Sequence, residues 1–436
     1  MKRGIDHRSS PANLGAMTST PPAAAGARPR VSHGLAALAL ALLLGLQPVT
    51  TDIYLPALPM LMRDLSASMR SAQLTLSALI LSFGVAQLFW GPLADRIGRR
   101  PVLLTGLLLY TAAGLGSALA GSIEALVLWR TVQGAAMAAA IVCARAMLRD
   151  LYEVHEGAQV LSVGLSGLGV MAIVGPLLGG LAAAHGGWRW ALALVAAWGA
   201  LTLVFVAWRL PETLAWKNPQ ATRLAPLLAR WRQIASHRSF VAWTLLVSCT
   251  YGGLFTILAA SSFVYMDILG LSAGAYGMAL ALGSCSYLLG TMACRWLIRR
   301  HGIAGAVQRG AFVTLAGGLL IATLALLGVK QVWAVLLPQC LFAFGHGVHQ
   351  PCGQAGAVGP FAQAAGAASA LAGFVLALVA TGVGLWLGRA LDGTVLPYAL
   401  TLGFWAVLTA LVAWTLVQRV RPAEPGAPAV AASPRV

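Results

Sequence analysis

Two charged residues stand where charge is costly. Asp52 and Arg130 each interrupt a run of apolar side chains. Ionisable groups inside membrane helices are expensive and are usually kept for function. A carboxylate in such a place can be neutral when desolvated and charged when open to water, which is what proton exchange requires. Counted from Leu35, Asp52 lies roughly 26 Å along its helix, and Arg130 lies roughly 10 Å from the opposite end of its own, at ~1.5 Å per residue. In an apolar slab of ~30 Å both fall in the same outer half. The depths allow an ion pair. The expectation is a proton-binding carboxylate whose occupancy is controlled by Arg130 and by substrate. The plainer alternative is an ion pair that only locks two helices together. Pro48 and Pro56 flank Asp52 and weaken backbone hydrogen bonding there, so this helix can bend.

The composition fixes the setting for these residues. Hydrophobic types make up 59% of the 436 residues and charged types only 9%, against ~25% charged in a soluble domain. So few charges cannot solvate a soluble fold of this size. A soluble enzyme, a disordered chain and a disulfide-stapled secreted domain are excluded, and the second solvent is the bilayer. The net charge of +17 would suggest nucleic acid in a soluble protein. Here the cations sit in short clusters between apolar runs and read as orientation signals, with no nucleic-acid partner expected. The six cysteines have no CxxC spacing and read as packed residues, with no metal expected.

The apolar runs predict helices at 34–60, 73–93, 102–121, 124–147, 158–184 and 189–210, then at 240–266, 273–297, 309–328, 331–355, 365–388 and 395–418. The expected fold is an all-α membrane protein of twelve transmembrane helices in two six-helix bundles, 33–210 and 240–418. A polar cytoplasmic linker, 211–239, joins them. The tails at 1–32 and 419–436 should be disordered and cytoplasmic, with no cleaved signal. With the N-terminus inside, 23 of the 29 Lys and Arg fall on the inner segments. Arg63, Arg70, Arg189, Lys330 and Arg389 fall outside, and this bias places both termini in the cytoplasm.

Between the second and third helices lies Gly91-Pro92-Leu93-Ala94-Asp95-Arg96-Ile97-Gly98-Arg99-Arg100. Gly91 permits close helix contact, Gly98 a tight turn, and Asp95 can pair with a cation or face a helix N-terminus. On its own, this could be a basic loop that only sets topology. A degenerate echo follows the eighth helix, where Gly290 and Arg295 match Gly91 and Arg96 but Cys294 replaces the aspartate. The fourth helix carries Leu126-x-x-x-Arg130-x-x-Gln133-Gly134. The fifth carries Gly175-Pro176-Leu177-Leu178-Gly179-Gly180, whose glycines admit a close neighbour and whose proline bends the helix.

On these motifs the sequence resembles the major facilitator superfamily, whose two six-helix halves also predict an echo at the same place in each half. The helix-5 run looks like the end of that family's antiporter signature. Thr51-Asp52-Ile53-Tyr54-Leu55-Pro56-Ala57-Leu58-Pro59, Gly345-His346-Gly347-Val348-His349-Gln350-Pro351 and Ala367-Ala368-Ser369-Ala370-Leu371-Ala372-Gly373 resemble the bicyclomycin/chloramphenicol-resistance branch of bacterial drug exporters. The resemblance runs from about residue 35 to 415. It implies a multi-pass protein of the bacterial inner membrane. Such a protein exports small antimicrobial compounds in exchange for protons, by rocking of the halves about a midplane site. A monomer is expected to suffice.

Candidates for the substrate cavity are Tyr54, Gln133, Tyr251, Phe255, Ser262, His346 and Gln350. On the seventh helix Tyr251, Phe255, Leu258, Ser262 and Tyr265 recur at helical spacing, which suits either a cavity for an amphipathic compound or packing. His346 and His349 can relay protons or simply pack. Asp95 is expected to meet Arg145 or the start of the eleventh helix. No P-loop is present, so ATP is not the energy source by that route, and no HExxH or GxSxG marks a membrane enzyme. No cofactor is expected. The rival reading within the class is proton-coupled export of a metabolite such as an amino acid or sugar.

Overall fold

The computed structural model describes residues 31–420, so most of the two expected tails lies outside the described residues. Within them the protein is all helical. Serines start four of the long helices. The hydroxyls of Ser32, Ser68, Ser122 and Ser272 accept from the backbone N–H three residues on, satisfying one of the donors a helix start leaves free.

The first half comprises α1 (His33–Asp52), α2 (Leu58–Asp64), α3 (Met69–Ile97), α4 (Arg99–Ala118), α5 (Ile123–Leu151) and α6 (Val154–Arg209). The second comprises α8 (Arg238–Ser262), α9 (Ala273–Leu326), α10 (Val332–Val358), α11 (Ala365–Ala390), α12 (Leu396–Trp414) and the short α13 (Leu416–Arg419). Between them lies α7 (Leu224–Ala235). Ten helices among the described residues are long and apolar enough to cross a membrane.

Two of the ten are too long for one crossing. At ~1.5 Å per residue, the 54 residues of α9 would span about 80 Å, against a core of ~30 Å. Each contains one glycine with non-helical, positive φ: Gly187 (φ 76°) in α6 and Gly302 (φ 68°) in α9. The packing partners show that the chain reverses there. Along the first arm of α9, Gly283, Gly290 and Cys294 meet Gln339, Phe344 and Val348 in rising order. Along the second arm, Gly310 and Gly317 meet Val348 and then Pro338, in falling order. On α6, Gly164, Gly167 and Gly175 climb α1 past Leu40, Ala41 and Asp52. After Gly187, Trp188 bonds Asp64 and Trp198 bonds Leu42, so the chain descends again. The ten helices therefore comprise twelve arms, six in each half, each a candidate crossing.

Two local differences from the expected elements matter. The first span is broken. The segment Leu55–Ala57 is a 3-10 turn, because Pro56 and Pro59 lack the N–H groups a continuous helix needs. The break falls directly after Asp52. The polar linker also carries a helix, α7, which places Leu224, Leu227, Leu228, Trp231 and Ile234 at helical spacing with Arg230 and Arg232 between them. That is an amphipathic helix too short to span. Trp231 meets Phe89 edge to face, with centroids 6.4 Å apart.

The halves meet through two antiparallel helix pairs, α3 with α11 and the first arm of α6 with the first arm of α9. Gly84 lies against Ala377, Gly384 against Ser77 and Gly388 against Arg70. Gly180 lies against the Ala273 carbonyl, and Gly277 against the Pro176 carbonyl. Counted as crossings, these are helices 2 with 11 and 5 with 8. A pseudo-twofold that maps 2 onto 8 and 5 onto 11 exchanges the two pairs.

Candidate functional site

Between these sealing pairs lies a cavity of about 200 Å³, in which Asp52 is the only carboxylate among the described residues. Its wall is otherwise apolar or amide and hydroxyl in character, from Leu55, Pro176, Leu254 and Leu280 to Gln47, Tyr287, Gln339 and His346. Thr51 Oγ1 donates to Asp52 Oδ1 at 2.7 Å. Gly175 lets α6 pass close to Asp52, with 3.6 Å between the Asp52 Cβ and a methyl built on the glycine. Gly179 sits directly on the backbone of Ile53.

The expected Asp52–Arg130 ion pair is not formed. Arg130 is fully buried on α5. Its Nη1 donates to Gln133 Oε1 at 2.9 Å and its Nη2 to the Thr50 carbonyl at 3.0 Å. Its guanidinium lies 4.4 Å from the centre of the Tyr54 ring. The geometry explains the miss: Thr50 and Asp52 are two residues apart on a helix and so point about 200° apart around its axis. Arg130 reaches the face of α1 that Asp52 does not occupy. It clamps the backbone of α1 and holds Asp52 in place indirectly.

The cavity candidates divide. Tyr251, His346 and Gln350 line the cavity. Gln350 accepts from Tyr287, and His346 Nδ1 lies 3.0 Å from Thr250 Oγ1. Tyr54, Gln133, Phe255 and Ser262 do not line it, and all four are fully buried. Tyr54 bonds Thr75 at 2.7 Å beneath Arg130, and Phe255 packs near Gly384 of α11. On α8 the cavity sees Tyr251, Leu254, Ile257 and Leu258, a face rotated from the expected stripe. Tyr265 instead donates to Gln339. His349 bonds Thr314 at 3.1 Å, away from the cavity. Sequence reasoning missed Gln47, Gln339 and Tyr287. Gln47, a lone amide in the apolar run of α1, was the available signal.

At the arginine-rich end, Gly91 lies near Val142, and Gly98 turns the chain with φ 119° between α3 and α4. Asp95 pairs with Arg99 at 2.6 Å, not with Arg145 or α11. Arg99 also reaches Asp150 at 3.2 Å. Glu212 accepts from the backbone N–H groups of both Arg99 and Arg100, which begin α4. A carboxylate there satisfies free donors and suits the helix dipole. Arg100 donates to the Leu210 and Ala207 carbonyls at the end of α6, and Arg96 to Thr222. The loop is thus tied into its own half. Contact with the other half comes from Arg145, whose Nη1 donates to Ser369 Oγ of α11 at 2.8 Å. At the opposite rim, Arg63 of the first half and Asp267 of the second are both exposed charges. In the echo, Cys294 and Cys352 lie with sulfurs 3.4 Å apart, and all six cysteines are free.

The arrangement resembles solved transporters in fold. A D-xylose–proton symporter matches with a TM-score of 0.69 at 17% identity, over 87% of this chain and 97% of its own. The human organic anion transporter MFSD10 matches with a TM-score of 0.65 at 20% identity, over 89% and 100%. Among curated relatives, multidrug resistance protein D of Escherichia coli is 31% identical over 77% of this chain and 84% of its own. A chloramphenicol resistance protein of Pseudomonas aeruginosa is 29% identical over 85% and 87%. A bicyclomycin resistance protein homolog of Haemophilus influenzae is 25% identical over 88% and 96%. The Major Facilitator Superfamily model matches residues 40–384. With two six-helix halves about a central cleft and that family match over most of its length, the chain belongs to the Major Facilitator Superfamily, among relatives named for drug resistance.

Proposed function

We propose that this protein exports small, mostly neutral antimicrobial compounds from the bacterial cytoplasm in exchange for protons, acting as a monomer in the inner membrane with both termini cytoplasmic. The observation that carries the reading is the placement of Asp52 as the one carboxylate in a largely apolar cavity between the halves. An apolar wall with a few amides suits an amphipathic neutral compound. A lone carboxylate beside it lets proton and substrate compete for one space. Rocking of the halves about the sealing helix pairs would open the cavity to each side in turn. Arg130 serves by holding α1 through the Thr50 carbonyl.

The energetics suffice. One charge moved inward through 100 mV supplies ~2.3 kcal/mol, and at ~1.4 kcal/mol per tenfold this sustains a gradient of roughly 40-fold for a neutral substrate. Efflux from cells over a chemically diverse panel, with and without a protonophore, tests the reading. Export of several unrelated apolar antimicrobials that collapses with the protonophore is expected. Export confined to one amino acid or sugar would support a metabolite carrier instead.

Orientation has its own test. Reporter fusions after Asn218 and after Gly302 should both signal the cytoplasm, as the 23 cations on the inner segments require. An outside signal at either would overturn the orientation.

A further inference from the structure

A second cavity, of about 120 Å³, lies between the halves on the side of Arg145. Gln47, Tyr251 and Gln350 line both cavities and form the partition between them. The second cavity differs in its electrostatics. Among the described residues Arg145 is the only charged one in its wall, which holds no carboxylate. Among the described residues Arg145 has one polar partner, Ser369, which leaves further guanidinium N–H groups to donate. The side chain is accessible to solvent within the cleft. Two more wall residues carry unspent polar groups. Gln87 Nε2 and Thr244 Oγ1 are buried without any hydrogen-bond partner, although Gln87 is only 5% and Thr244 only 4% exposed. Burying such groups unpaired costs free energy, so each marks a place where a partner belongs.

A guanidinium and an amide N–H are donors, and the Thr244 hydroxyl can act as one. With a cation and no neighbouring acid, the complementary group is a carboxylate, which accepts from Arg in a fork geometry. Phe83, Ile80 and Leu376 supply an apolar wall for the body of the molecule. We infer that this cavity is an entry subsite for the carboxylate of a small aromatic acid, held by Arg145 with Gln87 and Thr244, ahead of the partition that guards the Asp52 cavity. The inference extends the export reading above to organic anions and rests on it for its place in the cycle.

The test is equilibrium binding of benzoate and of benzamide, its neutral counterpart, to the purified full-length protein in detergent at constant pH. Benzoate is expected to bind about tenfold tighter, the ratio a charge-assisted pair can supply. Arg145→Gln should bring the two probes to similar affinity, and Arg145→Lys should keep part of the preference. Gln87→Leu, which retains the cation, should weaken benzoate several-fold without touching Ser369, and serves if Arg145→Gln does not fold. Equal binding of the probes by wild type would overturn the inference, as would a preference that survives Arg145→Gln or a benzoate affinity unmoved by Gln87→Leu. In that case Arg145 is only a tie to Ser369. The titration uses no gradient, so its result is separate from whether transport proves proton-driven.

Discussion

Replacing Asp52 by Asn is expected to abolish the proton release that the proposed exchange predicts when a transported compound binds to the purified protein, while the compound still binds. Asn has the shape of a protonated Asp and can accept from Thr51 as Asp52 does, but it has no proton to give up. Because Asp52 is the one carboxylate in the cavity, no neighbouring acid can substitute. Proton-driven efflux should fall to background, a loss of at least about tenfold. If the variant releases as many protons as wild type, the carrier is elsewhere. His346 is then the next candidate, since it lines the same cavity and His349 does not.

The second large effect is steric, and it separates two glycines of one motif. A methyl at Gly179 would come within 2.7 Å of Ile53 Cα and closer still to its carbonyl oxygen. Backbone on both sides cannot yield as a flexible side chain can, so Gly179→Ala must push α6 away from the turn that follows Asp52. Overpacking of this kind costs ~1–3 kcal/mol or more, and transport should be lost with the displaced site. A methyl at Gly175 meets Asp52 Cβ at 3.6 Å, an ordinary contact. Thermal unfolding in detergent should therefore show a midpoint lowered by several degrees for Gly179→Ala and nearly unmoved for Gly175→Ala. Equal midpoints for the two variants would mean that α1 and α6 are not packed as described.

The contrast between these glycines shows where the sequence was legible. Long apolar runs announced the crossings, because a bilayer demands ~20 apolar residues from each. The reversals at Gly187 and Gly302 fell at gaps between those runs. The break after Asp52 was foreshadowed by Pro56. Depth was also readable, since residues per turn and rise convert position into distance. Azimuth was not. Asp52 and Arg130 share a depth, yet Arg130 faces Thr50, and nothing in the spacing of helix 1 and helix 4 fixes how each is rotated. The same rotation moved Phe255 and Ser262 off the cavity wall and brought Leu254 and Ile257 onto it. Glu212 was out of reach for another reason. It lies 112 residues from the backbone it caps, and only folding brings the end of α6 back to the start of α4. The amphipathic α7 was written plainly in its spacing but was hidden by its charges.

The two ends of the interface between the halves differ in how they respond to electrolyte. At one end Arg63 and Asp267 are exposed charges of opposite sign on opposite halves, so any attraction between them passes through water. Such an attraction is screened over ~8 Å at physiological ionic strength and over ~3 Å in molar salt. At the other end Arg145 leans on the neutral hydroxyl of Ser369, where there is no opposite charge to screen. The neighbouring ion pairs of Arg99 with Asp95 and Asp150 lie wholly within one half and move with it. Concentrated salt thus weakens whatever acts between Arg63 and Asp267 and leaves the contact of Arg145 in place. If the halves rock as proposed, the ionic strength at the Arg63 end would bias which way the cavity faces, apart from any effect on the substrate or on the proton.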